Sequence, residues 1–351
     1  MKMRFLKILC LALVIVSIVA VSTACVKDVE NQDKFTIYVP DGAPLLALTD
    51  ALAHDKLTTS EYKVDYTVIA NADQLSAALL QEEPDFAIAP INVCSLMYNK
   101  GADYRLAAVS IWGILHIVSS EESPTLESLK GNSILAFAKA GTPGITLKYL
   151  LTQSDIKYTE DSSIGASVAA DTVNIIYLTD APAIKDQLVI GSLDNVDIKF
   201  ALLPEPVATA IAGATSKKYS AKINLQTEWE KINPSTRYPQ AGLIVHKRVI
   251  DAHPEFVDHV INACKASAAA AAANPAEIGD LAVSALKSNA IPNGTIVASA
   301  VTGNRLSFDF TLSKDSKLAV NKYLEILYNQ NPTIVGDKIA DEAFYYYVSG
   351  E

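Results

Sequence analysis

Cysteine is scarce in this chain of 351 residues, which contains only four. Cys10 and Cys25 belong to the N-terminal end, so only Cys94 and Cys264 fall in the remaining chain. Both lie in apolar stretches, and we expect two buried free thiols, with one disulfide between them as the alternative. A fold held together by several disulfides is excluded.

Basic residues are outnumbered, since 29 lysines and arginines face 39 aspartates and glutamates. A nucleic-acid-binding surface needs a basic face, so this balance argues against a nucleic-acid partner. The five histidines show no metal-ligand clustering, because His253 and His259, six positions apart, do not share a helix face. The sequence has no Gly-x-Ser-x-Gly elbow, phosphate-binding loop or Cys-x-x-Cys motif. We therefore expect no catalytic residues, no metal and no cofactor.

The N-terminus has the residue order of a secretory signal. Three basic residues in the first seven positions precede an apolar run over 8–21, and small residues then lead directly to Cys25. The run is too short to span a bilayer comfortably. We therefore expect a signal peptide over residues 1–24 and a short polar tether over 25–34.

The residues before Cys25 resemble a bacterial lipobox, although Ser22 stands where that motif usually has leucine. The resemblance implies that Cys25 carries a diacylglycerol, becomes the mature N-terminus and anchors the chain outside the cytoplasm. The membrane would be the outer face of a Gram-positive cell membrane or one facing a periplasm. An ordinary signal peptide that contains a cysteine, and a membrane-spanning anchor, are the two alternatives.

Beyond residue 34 the sequence alternates between short apolar strands and helical segments. The first strand is predicted over 35–39, and Pro44 is placed to begin the helix that follows. A single long strand over 106–118 carries the chain into a second run of alternation, and a strand over 242–246 returns it. Alternation of this kind predicts parallel sheets covered by helices. Two such units joined by crossing segments predict two lobes, with a ligand between them.

Two local patterns carry further expectations. Asn274 precedes Pro275, with Glu277 two positions later, so we expect the Asn274 side chain to cap the helix that begins there. Trp229 lies in a polar helical stretch, and we expect it to pack at the surface of a lobe.

Eight short segments resemble, in their order and spacing, one family of proteins. That family is the type II solute-binding proteins of bacterial ABC importers, in the nitrate/sulfonate/taurine-like branch and its relatives assigned to thiamine-pyrimidine precursors. The segments include Gly-Ala-Pro, Asp-Phe-Ala-Ile-Ala-Pro-Ile-Asn and Leu-Pro-Glu-Pro, and they cover residues 42–44, 85–92, 98–101, 126–131, 203–206, 253–255, 274–277 and 331–332.

The resemblance implies an α/β fold of two lobes, each a mixed sheet flanked by helices, with a ligand cleft between them. Lobe one would hold 35–115 and 243–351, and lobe two 116–242. The implied protein is a monomer that captures a small organic molecule or anion by lobe closure and delivers it to an ABC permease and its ATPase. A sensing receptor of the same fold without transport, and an extracellular enzyme on this scaffold, are the alternatives.

In an open α/β sheet the ligand lies beyond the carboxyl ends of the strands, where helix N-termini direct N–H groups into the cleft. Glycines there let the backbone approach a ligand, Asn offers a donor and an acceptor, and tryptophan can stack on a planar group. The candidate ligand-binding residues are Gly42, Ala43, Pro44, Asn92, Trp112, Gly141, Thr142, Pro143, Gly144 and Glu205.

Each candidate also has an interpretation without a ligand. The loops can be ordinary strand-to-helix turns, Trp112 can fill the hinge, and Glu205 can favour the first turn of its helix by charge alone. Relatives commonly have glutamine at Glu205, and they often have a charged or larger residue after the Thr-Pro of the loop 140–144. The ligand therefore does not carry over from better-known members of the family.

Overall fold

The computed structural model describes residues 32–70, 72–160 and 163–348. The predicted signal peptide (1–24), Cys25 and most of the predicted tether lie outside these described residues. Over the described part of the chain, no helix combines the length and apolarity needed to cross a membrane.

The described strands are, in chain order, β1 (Asp33–Pro40), β2 (Tyr62–Ile69), β3 (Phe86–Pro90), β4 (Tyr104–Trp112), β5 (Leu115–Ser119), β6 (Ser133–Phe137), β7 (Lys157–Thr159), β8 (Thr172–Leu178), β9 (Ser192–Leu193), β10 (Val196–Asp197), β11 (Phe200–Pro204), β12 (Ala221–Asn224), β13 (Pro239–His246) and β14 (Thr311–Leu312). The α-helices are α1 (Ala43–Ala53), α2 (Ala72–Leu80), α3 (Ile91–Asn99), α4 (Thr142–Gln153), α5 (Ala181–Ile190), α6 (Val207–Ala214), α7 (Leu225–Ile232), α8 (Lys247–Ala252), α9 (Pro254–Ala273), α10 (Pro275–Ser284), α11 (Gly294–Thr302) and α12 (Ser313–Gln330). Short 3₁₀ turns occur at Glu127–Leu129, Pro332–Val335 and Glu342–Phe344.

Twelve of the described strands form two six-stranded mixed sheets, and β9 and β10 pair as a separate two-stranded antiparallel sheet. The first has the order β14-β4-β13-β3-β1-β2, and the second has the order β12-β5-β11-β6-β8-β7. In the first sheet β13 runs antiparallel to both its neighbours, and in the second sheet β5 does the same. We call the part built on the first sheet lobe I and the part built on the second sheet lobe II. The predicted α/β fold of two mixed sheets flanked by helices is confirmed.

Helices cover both faces of the first sheet. β3 and β4 are almost wholly buried, as expected for central strands with helices on each side. One face packs against α1 and α9, and the other packs against α3 and α12. This covering leaves the strand ends, rather than the sheet faces, available at the interface between the lobes.

The predicted single strand over 106–118 is wrong in its middle, because the chain changes sheets there. β4 ends at Trp112 against β13, and β5 begins at Leu115 against β11. Gly113 N donates to Tyr238 O at 3.1 Å, which ties the outgoing and returning segments together. A Cβ at Gly113 would lie 2.4 Å from Gln226 Oε1 and 2.6 Å from the Tyr238 ring, so only glycine fits where the two crossings meet.

Two other local expectations are wrong, and one is confirmed. Asn274 makes no side-chain capping bond to α10. Trp229 is only 1% exposed, because α12 of lobe I and the crossing segment bring Tyr323 and Tyr238 against it. The prediction of two buried free thiols is confirmed for the cysteines at 94 and 264.

Candidate functional site

Two of the predicted site residues, Asn92 and Thr142, lie on loops that face each other across the two lobes. Because β1, β3 and β4 are parallel, their carboxyl ends share the edge of lobe I at which the chain crosses over. β6, β8 and β11 are parallel in lobe II, and their carboxyl ends share the edge that receives the crossing. The turn after β3 therefore meets the turn after β6, as expected for this sheet architecture.

Asn92 and Thr142 are brought together from opposite lobes. Thr142 Oγ1 donates to Asn92 Oδ1 at 2.9 Å, and both side chains are buried. The hydroxyl does not cap its own helix, because Gly141 is the N-cap of α4 and Thr142 is already helical. The Asn92 amide nitrogen lies 3.5 Å from Ile334 O. This side-chain pair is therefore a polar contact across the interface.

The glycine loop before α4 is packed against its own backbone. Gly141 N and Gly144 N both donate to Ala138 O, at 2.9 and 3.3 Å. A Cβ at Gly144 would lie 2.7 Å from Ala138 O and 2.8 Å from Lys139 O, so the close backbone approach requires glycine there. Pro143, in the first turn, has no N–H. An anion at this turn would therefore compete with Ala138 for two of the N–H groups.

The turn after β1 is organised by Asp41, a residue that the sequence analysis passed over. Its carboxylate accepts Gly42 N at 2.8 Å and, from a distant loop, Asn289 N at 2.8 Å and Ala290 N at 3.0 Å. Gly42 has φ +101, which favours glycine. The adjoining Ala43 and Pro44 form the first turn of α1 without a side-chain cap.

Trp112 lies at the hinge with its ring and its N–H both in contact with protein groups. Its Nε1 donates to Asp309 O at 2.9 Å, and Thr311 Oγ1 lies 3.2 Å away. The Arg237 guanidinium stands over the ring, 4.9 Å from its centroid. Trp112 therefore joins the crossing segments to lobe I.

Glu205 is buried and paired within the protein. Its carboxylate accepts Thr209 N at 3.0 Å and the Thr209 hydroxyl at 2.9 Å in the first turn of α6. Lys222 Nζ lies 3.8 Å away, and Arg305 Nε of lobe I lies 3.3 Å away. Burial raises the pKa of the Glu205 carboxyl, while these two cations and Thr209 act in the opposite direction.

Sequence reasoning missed three further polar groups at the interface. Tyr323 Oη on α12 lies 2.8 Å from Thr146 Oγ1 on α4, a second contact between the lobes.

His116 is fully buried, and its Nδ1 lies 3.2 Å from Ile114 O, so Nδ1 carries the proton and Nε2 has no partner. Burial lowers the pKa of His116 to about 4. No local motif marks these residues, since their partners are distant in the chain or belong to the backbone.

Two cavities lie at the interface. One of about 270 Å³ is at the hinge and is lined almost entirely by polar residues, including Asn224 and Gln226 of lobe II and Arg305 of lobe I. The other, of about 400 Å³, lies beside the glycine loop between Lys139 and Lys148 of lobe II and the carboxyl end of α12. A larger cavity of about 510 Å³ lies away from the interface, beside β2.

The described ranges contain no group of three or more histidine, cysteine, aspartate or glutamate side chains able to hold a metal ion. Lys139 and Lys148 converge on Glu160, at 3.0 and 3.2 Å, at the mouth of the second cavity. The interface therefore offers hydrogen-bonding groups and fixed charges to a solute.

Comparisons with known proteins found similar folds among solved structures. No protein-family model matches the chain, and a search of curated proteins returns no match. An ABC transporter protein from Parabacteroides distasonis has a similar structure, with 20% identity and a TM-score of 0.70 over 91% of this chain and 99% of that one.

Two sulfonate-binding proteins are also similar in structure. The periplasmic aliphatic sulphonate binding protein SsuA from Escherichia coli has 16% identity and a TM-score of 0.64, over 90% of this chain and 93% of that one. The alkanesulfonate-binding protein SsuA from Xanthomonas axonopodis pv. citri, bound to MOPS, has 15% identity and a TM-score of 0.61, over 89% and 98%. At this identity the likeness concerns the fold, and the chain has the two-lobed fold of periplasmic binding proteins.

Proposed function

We propose that this chain is the extracytoplasmic solute-binding protein of an ABC importer. It captures a small molecule between lobe I and lobe II and delivers it to a permease and ATPase. The observation that carries the proposal is the meeting of the strand-end loops from both lobes, joined by the Asn92–Thr142 bond. A solute held there touches both lobes, and only such a solute can favour one arrangement of the lobes over another.

We propose that the solute lies at the cavities between the lobes. An anionic group of the solute lies near the Gly141–Gly144 turn, where Lys139 and Lys148 line the second cavity and α4 begins. Glu160 offsets part of that positive charge. The rest of the solute lies toward Asn92 and Thr142, whose mutual hydrogen bond it replaces.

The lobes of this proposal comprise residues 35–115 and 243–351 on one side and 116–242 on the other. Cys25 carries the lipid that holds the protein at the membrane surface, after removal of the signal over 1–24. The protein acts as a monomer that binds and releases its solute unchanged. The support for the anchor is the residue order of the N-terminal sequence.

A thermal-shift screen of the purified protein tests the proposal. The panel contains sulfonates, inorganic oxyanions, pyrimidines, flavins and amino acids. A solute at a hundred times its dissociation constant stabilises the folded state by about 2.7 kcal/mol. A stabilising compound should then bind with one-to-one stoichiometry in calorimetry, and binding should be lost when the interface residues are changed. If stabilising compounds still bind after those changes, the proposed site is wrong.

A further inference from the structure

The carboxylate of Glu205 has two possible cations, one in each lobe. Arg305 Nε lies 3.3 Å from Glu205 Oε1, and Arg305 Nη2 donates to Ser299 O at 2.8 Å, which holds the guanidinium in lobe I. Lys222 Nζ lies 3.8 Å from the same oxygen and belongs to lobe II, as Glu205 does. His116 Nδ1 is 3.9 Å away, but its ring is neutral near pH 7 and adds no charge.

The Thr209 hydroxyl links all three charged groups. It donates its one hydrogen to Glu205 Oε1 at 2.9 Å, and it accepts from Lys222 Nζ and from Arg305 Nε, each at 3.1 Å. A hydroxyl has one donor and two lone pairs, so its bonding capacity is used completely. The arrangement is therefore complete only when lobe I is in contact with lobe II.

Separation of the lobes affects the two cations differently. Arg305 leaves with lobe I, whereas Lys222 stays within reach of Glu205. A buried carboxylate without a cation is strongly unfavourable, because it has lost its hydration and gained no opposite charge. Lys222 removes that penalty from the open state. The open state therefore keeps a cation beside Glu205, which lowers the free-energy cost of opening.

We propose that Arg305 and the Glu205–Thr209 pair form a latch that holds the lobes together, and that Lys222 keeps Glu205 paired when the latch opens. Every group in the latch belongs to the protein, so the latch forms without a solute. The proposal goes beyond solute capture, because it sets the balance between closed and open lobes before binding.

Two variants that each remove one positive charge beside the same carboxylate test the latch. Arg305→Gln should raise the ratio of open to closed lobes by about fivefold or more, since a charge-assisted contact across the lobes is lost. Lys222→Gln should leave that ratio at or below the value for the unchanged protein, because it penalises the open state. Arg305→Lys keeps the charge but loses the fork geometry, and should give an intermediate ratio. Arg248→Gln, which breaks an ion pair with Asp85 inside lobe I, is the matched control and should change nothing.

The ratio of open to closed lobes is measured by double electron–electron resonance on the full chain without solute. Spin labels are placed through Leu80→Cys in lobe I and Ile190→Cys in lobe II, since both side chains are more than half exposed. Cys94 and Cys264 are fully buried and do not compete for the label. Cys10→Ala and Cys25→Ala remove the N-terminal thiols.

The asymmetry between the two variants decides the outcome. If Arg305→Gln and Lys222→Gln open the lobes equally, or if neither changes the distance distribution, the latch is refuted. Circular dichroism confirms that each variant is folded, and the Arg305→Lys result decides the question if Arg305→Gln does not fold. No solute is added in this experiment, so its outcome tests only the latch. The thermal-shift screen tests solute binding independently.

Discussion

Thr142 at the start of α4 and Asn92 in the first turn of α3 share a 2.9 Å hydrogen bond that joins the two lobes. Each side chain lies beyond the carboxyl end of a parallel strand of its own sheet. The sequence predicts both residues as ligand contacts that face one cleft from opposite lobes, and in the structure they also contact each other. A solute that binds at this interface therefore has to replace the Asn92–Thr142 hydrogen bond with contacts of its own.

Asn92→Ala and Thr142→Ala should each weaken solute affinity about tenfold, because each removes a hydrogen-bonding group from the proposed site. The loss of folding stability should stay near 1 kcal/mol, since the bond joins lobes rather than elements of one core. Calorimetric titration and chemical denaturation measure the two effects. Thr215→Ala is the control, because its hydroxyl donates to Ile211 O of α6 at 2.7 Å and it lines neither of the two interface cavities. Lower stability with unchanged affinity in both site variants would contradict the assignment.

Gly113→Ala should destabilise the protein by about 1–3 kcal/mol, the usual range for an added methylene in a packed site. The new Cβ would meet Gln226 Oε1 and the Tyr238 ring where the crossing segments touch. Gly213→Ala is the matched control on α6, because nothing lies within 4 Å of its Cβ position. That control should be neutral or slightly stabilising. Urea denaturation measures both, and equal effects at the two positions would refute this account of the hinge.

His116 should make stability fall as the pH falls from about 6.5 to about 4. Its pKa is about 4 in the folded protein because burial disfavours the charged ring, and about 6.5 when unfolded. Between these values the unfolded chain binds more protons, so acid favours unfolding by up to about 3 kcal/mol. His116→Asn should flatten this part of the pH profile. An unchanged acid limb in the His116→Asn variant would show that another group is responsible.

Cys25→Ala should release the protein from the membrane or leave it as an uncleaved precursor, because the change removes the thiol that carries the lipid. Stable anchoring needs more than one acyl chain, which a diacylated cysteine supplies. Membrane fractionation and labelling with a radioactive fatty acid measure retention and acylation. Cys10→Ala, inside the apolar run, should alter neither. Normal cleavage and retention of the Cys25 variant would exclude the lipid anchor.

Solute binding should also bring the lobes closer, and small-angle scattering should then give a smaller radius of gyration. The effect should be larger in Arg305→Gln than in the unchanged protein, because the variant begins with more open lobes. An identical radius with and without saturating solute in the Arg305 variant would count against closure.

Local chemistry made much of the fold predictable from sequence. α9 begins at Pro254 and ends at Ala273, directly before Asn274 and Pro275, because helix starts and stops depend on neighbouring residues. The central strands β3, β4 and β13 of the first sheet follow apolar runs, since a strand covered on both faces is apolar along most of its length. The turns that face the interface are also predictable from local sequence, because residues that favour turns directly follow the strands.

Contacts between distant residues decided the rest. Trp229 lies in a polar stretch, yet it is buried because Tyr323 comes from a helix nearly a hundred positions later. The pairing of Glu205 with Arg305 has the same origin, and neither residue's neighbours indicate it. The amino-acid sequence by itself determined the main helices and strands, their order and the two-lobed α/β class. Secondary-structure propensity and the spacing of apolar residues depend only on a few neighbouring positions. Only the tertiary structure decided which side chains meet between the lobes, because that depends on how two separately packed sheets approach each other.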